Sequence, residues 1–165
     1  MRLGITGTYS SGKTLTSLVL GHLLGIPRTQ ARTMREILPE AAPGKTLEEV
    51  TSAQLIQMIV ARHSERAVHE HTLADEFISD GCSLQEWIYG SVRVKYGVNP
   101  NSSVSLSPDE TVQKTPELSS FKDVMLEPGK LFKRHVSSYF DMFIHLSNEL
   151  SLAKHELLPV SWTPR

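Results

Sequence analysis

Apolar residues open the chain as a short run and then recur at helical spacing. Residues 2–6 form the run, which stops at Gly7 and predicts a buried strand. Over residues 12–24, leucine and valine side chains return every three or four positions, which is typical of one face of a helix. Gly25 and Pro27 are expected to end that helix. The chain therefore begins with a strand and a helix joined by a short polar connection.

The middle of the chain continues this alternation with less regular elements. Residues 26–38 are expected to hold a short strand and a turn of helix that ends at Pro39, and residues 41–45 a loop. A long helical spacing then runs from about residue 47 to residue 74. Residues 76–81 predict a second clear strand, closed by a glycine turn.

The last third predicts two helices, one loop and a final strand. Apolar positions over residues 84–95 and again over 131–139 have helical spacing. Between them, residues 97 to about 120 are rich in Asn, Ser, Pro and Thr, which predicts a long loop or lid. Residues 141–146 predict the last strand. Strands that alternate with helices predict an α/β fold, with one parallel sheet and helices on both faces, in a single domain over residues 1–165.

Composition excludes several classes of protein. The chain has 165 residues, of which 39% are hydrophobic and 21% charged, which is ordinary for a globular domain. Its formal net charge is −1, without the basic excess of a nucleic-acid-binding protein, so no nucleic-acid partner is expected. No apolar run approaches the roughly 20 residues of a membrane span, so no membrane partner is expected either. The single cysteine, Cys82, allows no intrachain disulfide and favours a cytoplasmic protein.

The connection after the first strand carries a complete phosphate-binding motif. Glycines at both ends allow a sharp turn and a close approach of backbone N–H groups to phosphate oxygens. The lysine ammonium would bridge the terminal phosphates of ATP, and the threonine hydroxyl would bind Mg²⁺. We therefore predict an ATP-binding site with Mg²⁺, formed by residues Gly7, Thr8, Tyr9, Ser10, Ser11, Gly12, Lys13 and Thr14.

Other features favour a kinase among the proteins that use this motif. No Asn-Lys-x-Asp signature for guanine occurs, and no second large module follows, which argues against a GTPase and an oligomeric motor. Asp80 ends a strand roughly 65 residues beyond Thr14, as in small P-loop kinases. It would hold a Mg²⁺-bound water or accept the acceptor's proton, although aspartate is also a common turn residue. Lys13 and Asp80 are thus the predicted catalytic pair, and Thr14 and Asp80 the predicted metal ligands.

Several segments together resemble a known family. They are the phosphate loop, Thr33-Met34-Arg35-Glu36, Phe77-Ile78-Ser79-Asp80 and the strand over residues 141–146. In this order they resemble the ribosylnicotinamide-kinase-like branch of P-loop nucleoside kinases, over about residues 1–96 and 138–150. The resemblance implies a three-layer P-loop fold and transfer of the ATP γ-phosphoryl group to a hydroxyl of a small nucleoside-like molecule. Arg35 and Glu36 are the candidates for binding that acceptor, although each is also a plausible surface residue.

The C-terminal part departs from the family pattern. Family members carry an Asp-Gly-x-Arg lid segment after the fourth strand, whereas residues 153–159 here contain no arginine. A fifth strand and a last helix are also missing, so the domain is expected to be truncated at its C-terminus. These departures favour an alternative, a regulatory nucleotide-binding module or a partner-dependent ATPase without efficient transfer. They also predict either self-association or marginal stability, because an apolar region that includes Leu150, Leu152, Leu157 and Leu158 would be left uncovered.

Overall fold

The computed structural model describes residues 1–8, 11–29, 31–73, 75–96 and 115–147. In chain order, its strands and helices are β1 (Arg2–Gly7), α1 (Lys13–Leu24), β2 (Arg28–Thr29), α2 (Met34–Ala41), α3 (Ser52–Leu73), β3 (Phe77–Asp80), α4 (Ser83–Tyr96), α5 (Pro116–Tyr139) and β4 (Met142–Leu146). The strands form one four-stranded parallel sheet in the order β2-β3-β1-β4. The predicted α/β class and parallel sheet are confirmed.

Successive strand residues point to opposite faces of the sheet, and each face is covered by helices. On one face, Leu3, Ile5 and Ile78 form an apolar cluster with Leu20 of α1. On the other, Ser79 is hydrogen-bonded to side chains of α3. A second cluster joins α3 and α5 on that side, through Leu55, Ile59, Phe121, Met125 and Phe132. Helices therefore cover both faces, as the alternating pattern predicts.

Helix α3 begins later than its apolar spacing suggests. The prediction started at about residue 47, but the helix starts at Ser52. The Thr51 N–H donates to Gln54 Oε1 at 3.0 Å, and the Gln54 N–H donates to Thr51 Oγ1 at 3.2 Å. This reciprocal cap satisfies N–H groups of the first turn and therefore fixes the start of the helix at Ser52. Residues 47–49 form turns instead.

The polar stretch before α5 is shorter than predicted. A loop was expected up to about residue 120, but α5 already begins at Pro116 and runs for 24 residues. The Thr115 side chain caps it by accepting from the Leu118 N–H at 3.1 Å, and proline suits the first helical position because its missing N–H would be unpaired there. The helix predicted over residues 131–139 is thus the C-terminal part of a longer one. Residues 97–114, the rest of the predicted lid, lie outside the described residues.

Helix α2 also differs from its prediction, because it passes Pro39 and ends at Ala41. Proline removes one backbone donor but does not stop this short helix, whose C-terminal Ala42 N–H still bonds to the Leu38 carbonyl at 2.8 Å. The short strand predicted just before it is confirmed as β2.

Within the described ranges, no helix combines the length and apolarity needed to cross a bilayer.

The outer surface of α1 and the edge strand β4 carry exposed apolar side chains. Leu15, Leu18 and Leu23 of α1 are more than half exposed, and Met142 and Phe143 of β4 nearly so. Residues 148–165 lie outside the described residues, and with them the four leucines of the predicted association surface. The self-association expected from that surface remains a prediction.

Candidate functional site

The phosphate loop leaves β1 through a crowded glycine. A Cβ atom on Gly7 would lie 2.5 Å from Ser11 Oγ and 2.8 Å from the Leu146 carbonyl oxygen, so only glycine fits there. The Ser11 hydroxyl donates to the Thr8 carbonyl at 2.9 Å, and the Lys13 ammonium donates to the same carbonyl. The loop thus curls back on itself around Thr8. Tyr9 and Ser10, which were also predicted to bind the nucleotide, lie outside the described residues.

The first turn of α1 fits an anion such as a phosphate group. Its N-cap is Gly12, at a φ of 86° that favours glycine, and no side chain caps the turn in the described part of the chain. The turn also has no acidic residue. Backbone N–H groups at a helix N-terminus carry partial positive charge and remain available to phosphate oxygens when nothing caps them.

Asp80 lies beside the phosphate loop at the carboxyl end of β3. It pairs in register with Ile5 of β1, and the following Gly81 N–H donates to the Ile5 carbonyl at 2.9 Å. Its side chain is only 11% exposed, and its Oδ2 lies 3.9 Å from Arg28 Nη2. Burial lowers the pKa of Lys13, and the negative charge of Asp80 acts against that shift. The structure therefore brings Lys13 and Asp80 into one electrostatic neighbourhood.

Oxygen donors are the ligands that Mg²⁺ prefers, and the two predicted ligands supply them. Thr14 contributes a hydroxyl from the first turn of α1 and is exposed, whereas Asp80 contributes a nearly buried carboxylate. With an uncapped helix N-terminus for phosphate, this donor set fits a Mg²⁺–nucleotide complex.

A cavity of about 380 Å³ opens next to the start of the phosphate loop. It lies between α4 and the carboxyl-terminal parts of β1 and β4. Most of its wall is apolar or aromatic, and no charged residue occurs among the described residues that line it. The lining comprises Thr6, Gly7, Thr8, Cys82, Leu84, Gln85, Ile88, Tyr89, Phe143 and His145. Asp80 is not among these residues.

Two polar side chains of this cavity were not singled out from the sequence. Gln85 Nε2 donates to the Gly7 carbonyl at 3.0 Å and to the Tyr89 hydroxyl at 3.2 Å. His145 Nδ1 lies 3.2 Å from Thr6 Oγ1 across the β1–β4 pair. A polar residue at the carboxyl end of a strand in a parallel sheet is a usable sequence signal, because ligands bind at that end. Gln85 had no comparable signal.

Arg35 and Glu36, the predicted acceptor-binding residues, do not line the cavity. Glu36 belongs to a capping box at the start of α2, where its Oε2 accepts from the Thr33 N–H at 2.6 Å. That hydrogen bond lowers the pKa of the Glu36 carboxyl group. The sequence Thr-x-x-Glu is the signature of such a box. A substrate role for either residue stays a prediction.

A buried polar network lies under β3 and was also missed. Arg66 Nη1 donates to Ser79 Oγ at 2.8 Å, Ser79 Oγ donates to Glu70 Oε1 at 3.0 Å, and His135 Nε2 lies 2.6 Å from Glu70 Oε2. Arg66 and Glu70 are at most 2% exposed. Charged residues on α3 gave no sequence sign of burial, because their partners come from β3 and α5.

The solved structures that match this chain include two of one enzyme. No family model and no curated protein matches the chain. Both structures are of deoxyadenosine kinase from M. mycoides, one with the products dCMP and a flexible dCDP bound and one with bound dCTP. Their identities with this chain are 15% and 17%, each alignment covers 92% of both chains, and the TM-scores are 0.46 and 0.42. Membership of the ribosylnicotinamide-kinase-like branch stays a prediction.

Proposed function

We propose that this protein is a kinase that transfers the γ-phosphoryl group of ATP to a hydroxyl of a small nucleoside-like acceptor, with Mg²⁺. The observation that carries the proposal is the shared boundary of two sites. Gly7 and Thr8 belong both to the complete phosphate motif and to the lining of the cavity. An acceptor in the cavity would therefore lie beside the terminal phosphate, as direct transfer requires.

In this proposal, phosphate and Mg²⁺ are bound by different residues. The first turn of α1 and Lys13 hold the ATP phosphates, and Thr14 with Asp80 holds Mg²⁺ or its water. Mg²⁺, when bound, would offset charge on the transferred group. Because Asp80 does not line the cavity, its position favours the role at Mg²⁺ over the alternative role as the acceptor's base. Positioning and charge account for most of the catalysis that phosphoryl transfer needs.

The lining of the cavity favours a neutral acceptor with a flat ring. Leu84, Ile88, Tyr89 and Phe143 offer apolar and aromatic contact, and Gln85 with His145 offers hydrogen bonds. An already phosphorylated acceptor or a cationic ring would lose solvation there without meeting an opposite charge in the described lining, which is costly. We therefore infer a preference for unphosphorylated, uncharged nucleosides.

An assay of ADP release with matched acceptors tests this function. Neutral nucleosides, the corresponding monophosphates and the cationic ribosylnicotinamide would be compared at equal concentration, with mass analysis of the product. We expect ADP release and a phosphorylated product with at least one neutral nucleoside. Transfer to monophosphates alone would contradict the inferred acceptor class. If no acceptor accelerates ADP release, the proposed kinase activity is wrong.

The second candidate, a nucleotide-binding module without efficient transfer, is favoured by one observation. No arginine lines the cavity in the described part of the chain, and two arginines that interact with the charge of Asp80 already have partners: Arg28 faces Asp80 itself, and Arg62 Nη1 donates to Glu86 Oε2 at 2.6 Å. An arginine that offsets charge on the transferred group contributes on the order of 10³–10⁵ in rate in related reactions. A protein of this kind would bind ATP tightly in titration calorimetry but would show no acceptor-dependent ADP release in the assay.

A further inference from the structure

Arg28 of β2 lies in a slot on the surface of α1. A Cβ atom added to Gly21 would lie 3.0 Å from Arg28 Cγ and 3.3 Å from Arg28 Cδ, so the side-chain stem crosses the helix at its one residue without a Cβ. Ser17, four residues earlier and therefore on the same helix face, is fully buried beneath it. The slot directs the guanidinium group toward the carboxyl end of the sheet.

The guanidinium group connects the two predicted metal ligands. Arg28 Nε donates to Ser17 Oγ at 3.2 Å, and Ser17 Oγ donates to the Thr14 carbonyl at 3.0 Å. At its other end, Arg28 Nη2 lies 3.9 Å from Asp80 Oδ2. That distance is too long for a hydrogen bond but keeps opposite charges together at a site that is mostly buried. Arg28 Nη2 itself is buried without a hydrogen-bond partner.

We propose that Arg28 is a positioning residue for Mg²⁺: it orients the Asp80 carboxylate and ties it, through Ser17, to the turn of α1 that carries Thr14. The proposal rests on the proposed function. Lys13, in the phosphate loop, also attracts the Asp80 carboxylate. Without Arg28 to balance that attraction, the carboxylate would turn toward Lys13 and away from the metal. A purely structural Arg28, which only fastens β2 to α1, is the alternative.

Substitutions of Arg28 and Ser17 can separate the positioning role from the purely structural role. Arg28→Gln removes the charge, and Arg28→Lys keeps it but loses the planar fork that serves Ser17 and Asp80 together. Ser17→Ala removes the hydroxyl that joins Arg28 to the Thr14 carbonyl, leaves the charge pair of Arg28 with Asp80 in place, and is small enough to keep the fold. Arg134→Gln, an exposed arginine on α5, is the matched control. Circular dichroism would establish that each variant is folded.

Two measurements then test the proposal. The first is the thermal stabilisation that ADP gives with and without Mg²⁺, which reports binding without turnover. The second is the Mg²⁺ concentration that half-saturates ATP binding in titration calorimetry. For both Arg28 variants we expect the half-saturating Mg²⁺ concentration to rise by about 10–100-fold, the range seen when groups that orient metal ligands are removed. Ser17→Ala should give a smaller rise, and binding of ADP without Mg²⁺ should change little.

The outcomes distinguish this proposal from the proposed function. If the wild-type protein binds Mg²⁺–ATP and folded Arg28 variants need the same Mg²⁺ concentration as the Arg134→Gln control, the positioning role is wrong. If the Arg28 variants unfold, Ser17→Ala decides, and an unchanged Mg²⁺ requirement in it overturns the proposal. If the wild-type protein binds no nucleotide, the proposed function fails, and a role of Arg28 toward Mg²⁺ fails with it.

Discussion

At the scale of single residues, Lys13 is the side chain on which nucleotide binding should depend most. Its ammonium donates to the Thr8 carbonyl within the loop, and burial lowers its pKa. We expect Lys13→Ala to weaken ATP binding by about 1.5–3 kcal/mol, the usual value of a hydrogen bond to a charged group, and nearly to abolish turnover. Titration calorimetry with ATP and Mg²⁺ measures the loss. Lys130→Ala, on an exposed turn of α5, should leave the affinity unchanged.

Asp80 can be tested by a substitution that keeps its size. At a saturating Mg²⁺ concentration, Asp80→Asn should leave ATP binding nearly intact but reduce transfer strongly, because the amide lacks the charge that a Mg²⁺-bound water requires. Steady-state rates and ATP titration give the two values separately. Asn is as good a turn former as Asp, so normal rates in this variant would return Asp80 to a structural role. Asp123→Asn, exposed on α5, is the matched control.

The sequence signals for the candidate site are local. The phosphate loop and Asp80 were predicted because their chemistry depends on local spacing and on the end of a strand, and their roles stay predictions. Gln85 and His145 were not, since what makes them notable is a cavity between α4 and β4, which are far apart along the chain. Glu36 carries a local signal of another kind, because Thr-x-x-Glu also marks the capping box that the structure shows, and its substrate role stays a prediction.

At the scale of elements, the α4–α5 interface depends on Gly129. A Cβ atom there would lie 2.3–2.8 Å from three atoms of the Trp87 indole ring. The indole Nε1 also donates to the Met125 carbonyl at 2.9 Å, and Lys133 Nζ lies 4.5 Å from the ring centroid. Gly129 therefore lets α5 approach α4 closely enough for Trp87 to be held between them.

We expect Gly129→Ala to destabilise the protein by about 1–3 kcal/mol, because overpacking outweighs the better helix propensity of alanine. Urea unfolding measures the change. In a Trp87→Leu background the ring is gone, so the same substitution should be neutral or stabilising. Equal losses in both backgrounds would show that the contact with Trp87 is not the cause.

The order and type of the described elements followed from the apolar pattern, but their ends did not. Helices α3 and α5 start where Thr51 and Thr115 cap them, and capping outweighs apolar spacing in the first turn. The start of α5 was missed because its first turn is as polar as the stretch before it. Its buried Phe121 is recognisable only with the α3 side chains Leu55 and Ile59 that it packs against.

At the scale of the whole molecule, the two faces of the sheet carry different parts of the proposed reaction. Asp80 shares the α1 face with Arg28, whereas Phe143 and His145 share the opposite face with the cavity. The phosphate loop crosses between them at Gly7, which lies against Leu146 of β4. Under the proposed function, variants on the α1 face should therefore change metal binding and variants on the opposite face acceptor binding, and the two effects should be separable in assays.

A buried histidine on the face of the sheet away from α1 should make the stability of the protein depend on pH. His63 on α3 is buried against Phe132 and His135 of α5, and His63 Nδ1 lies 2.8 Å from Ser83 Oγ of α4. Burial, followed by the charge on His135, lowers the pKa of His63 to about 4, while Glu70 acts in the other direction and Arg66 adds to the lowering. An imidazole held neutral in the folded state is protonated more readily after unfolding.

The sign of the effect follows from the two pKa values. Between pH 6.5 and about 4 the unfolded state binds the extra proton, so the free energy of unfolding should fall as the pH is lowered across this range. The contribution of His63 should be on the order of 1–3 kcal/mol. Urea unfolding at both ends of the range measures the total fall, and His63→Gln, which retains a hydrogen-bonding partner for Ser83 without a titrating ring, isolates the part due to His63. A fall of the same size in His63→Gln would assign the acid sensitivity to the carboxylates instead, among them Asp141, whose hydrogen bonds from Arg2 lower its pKa.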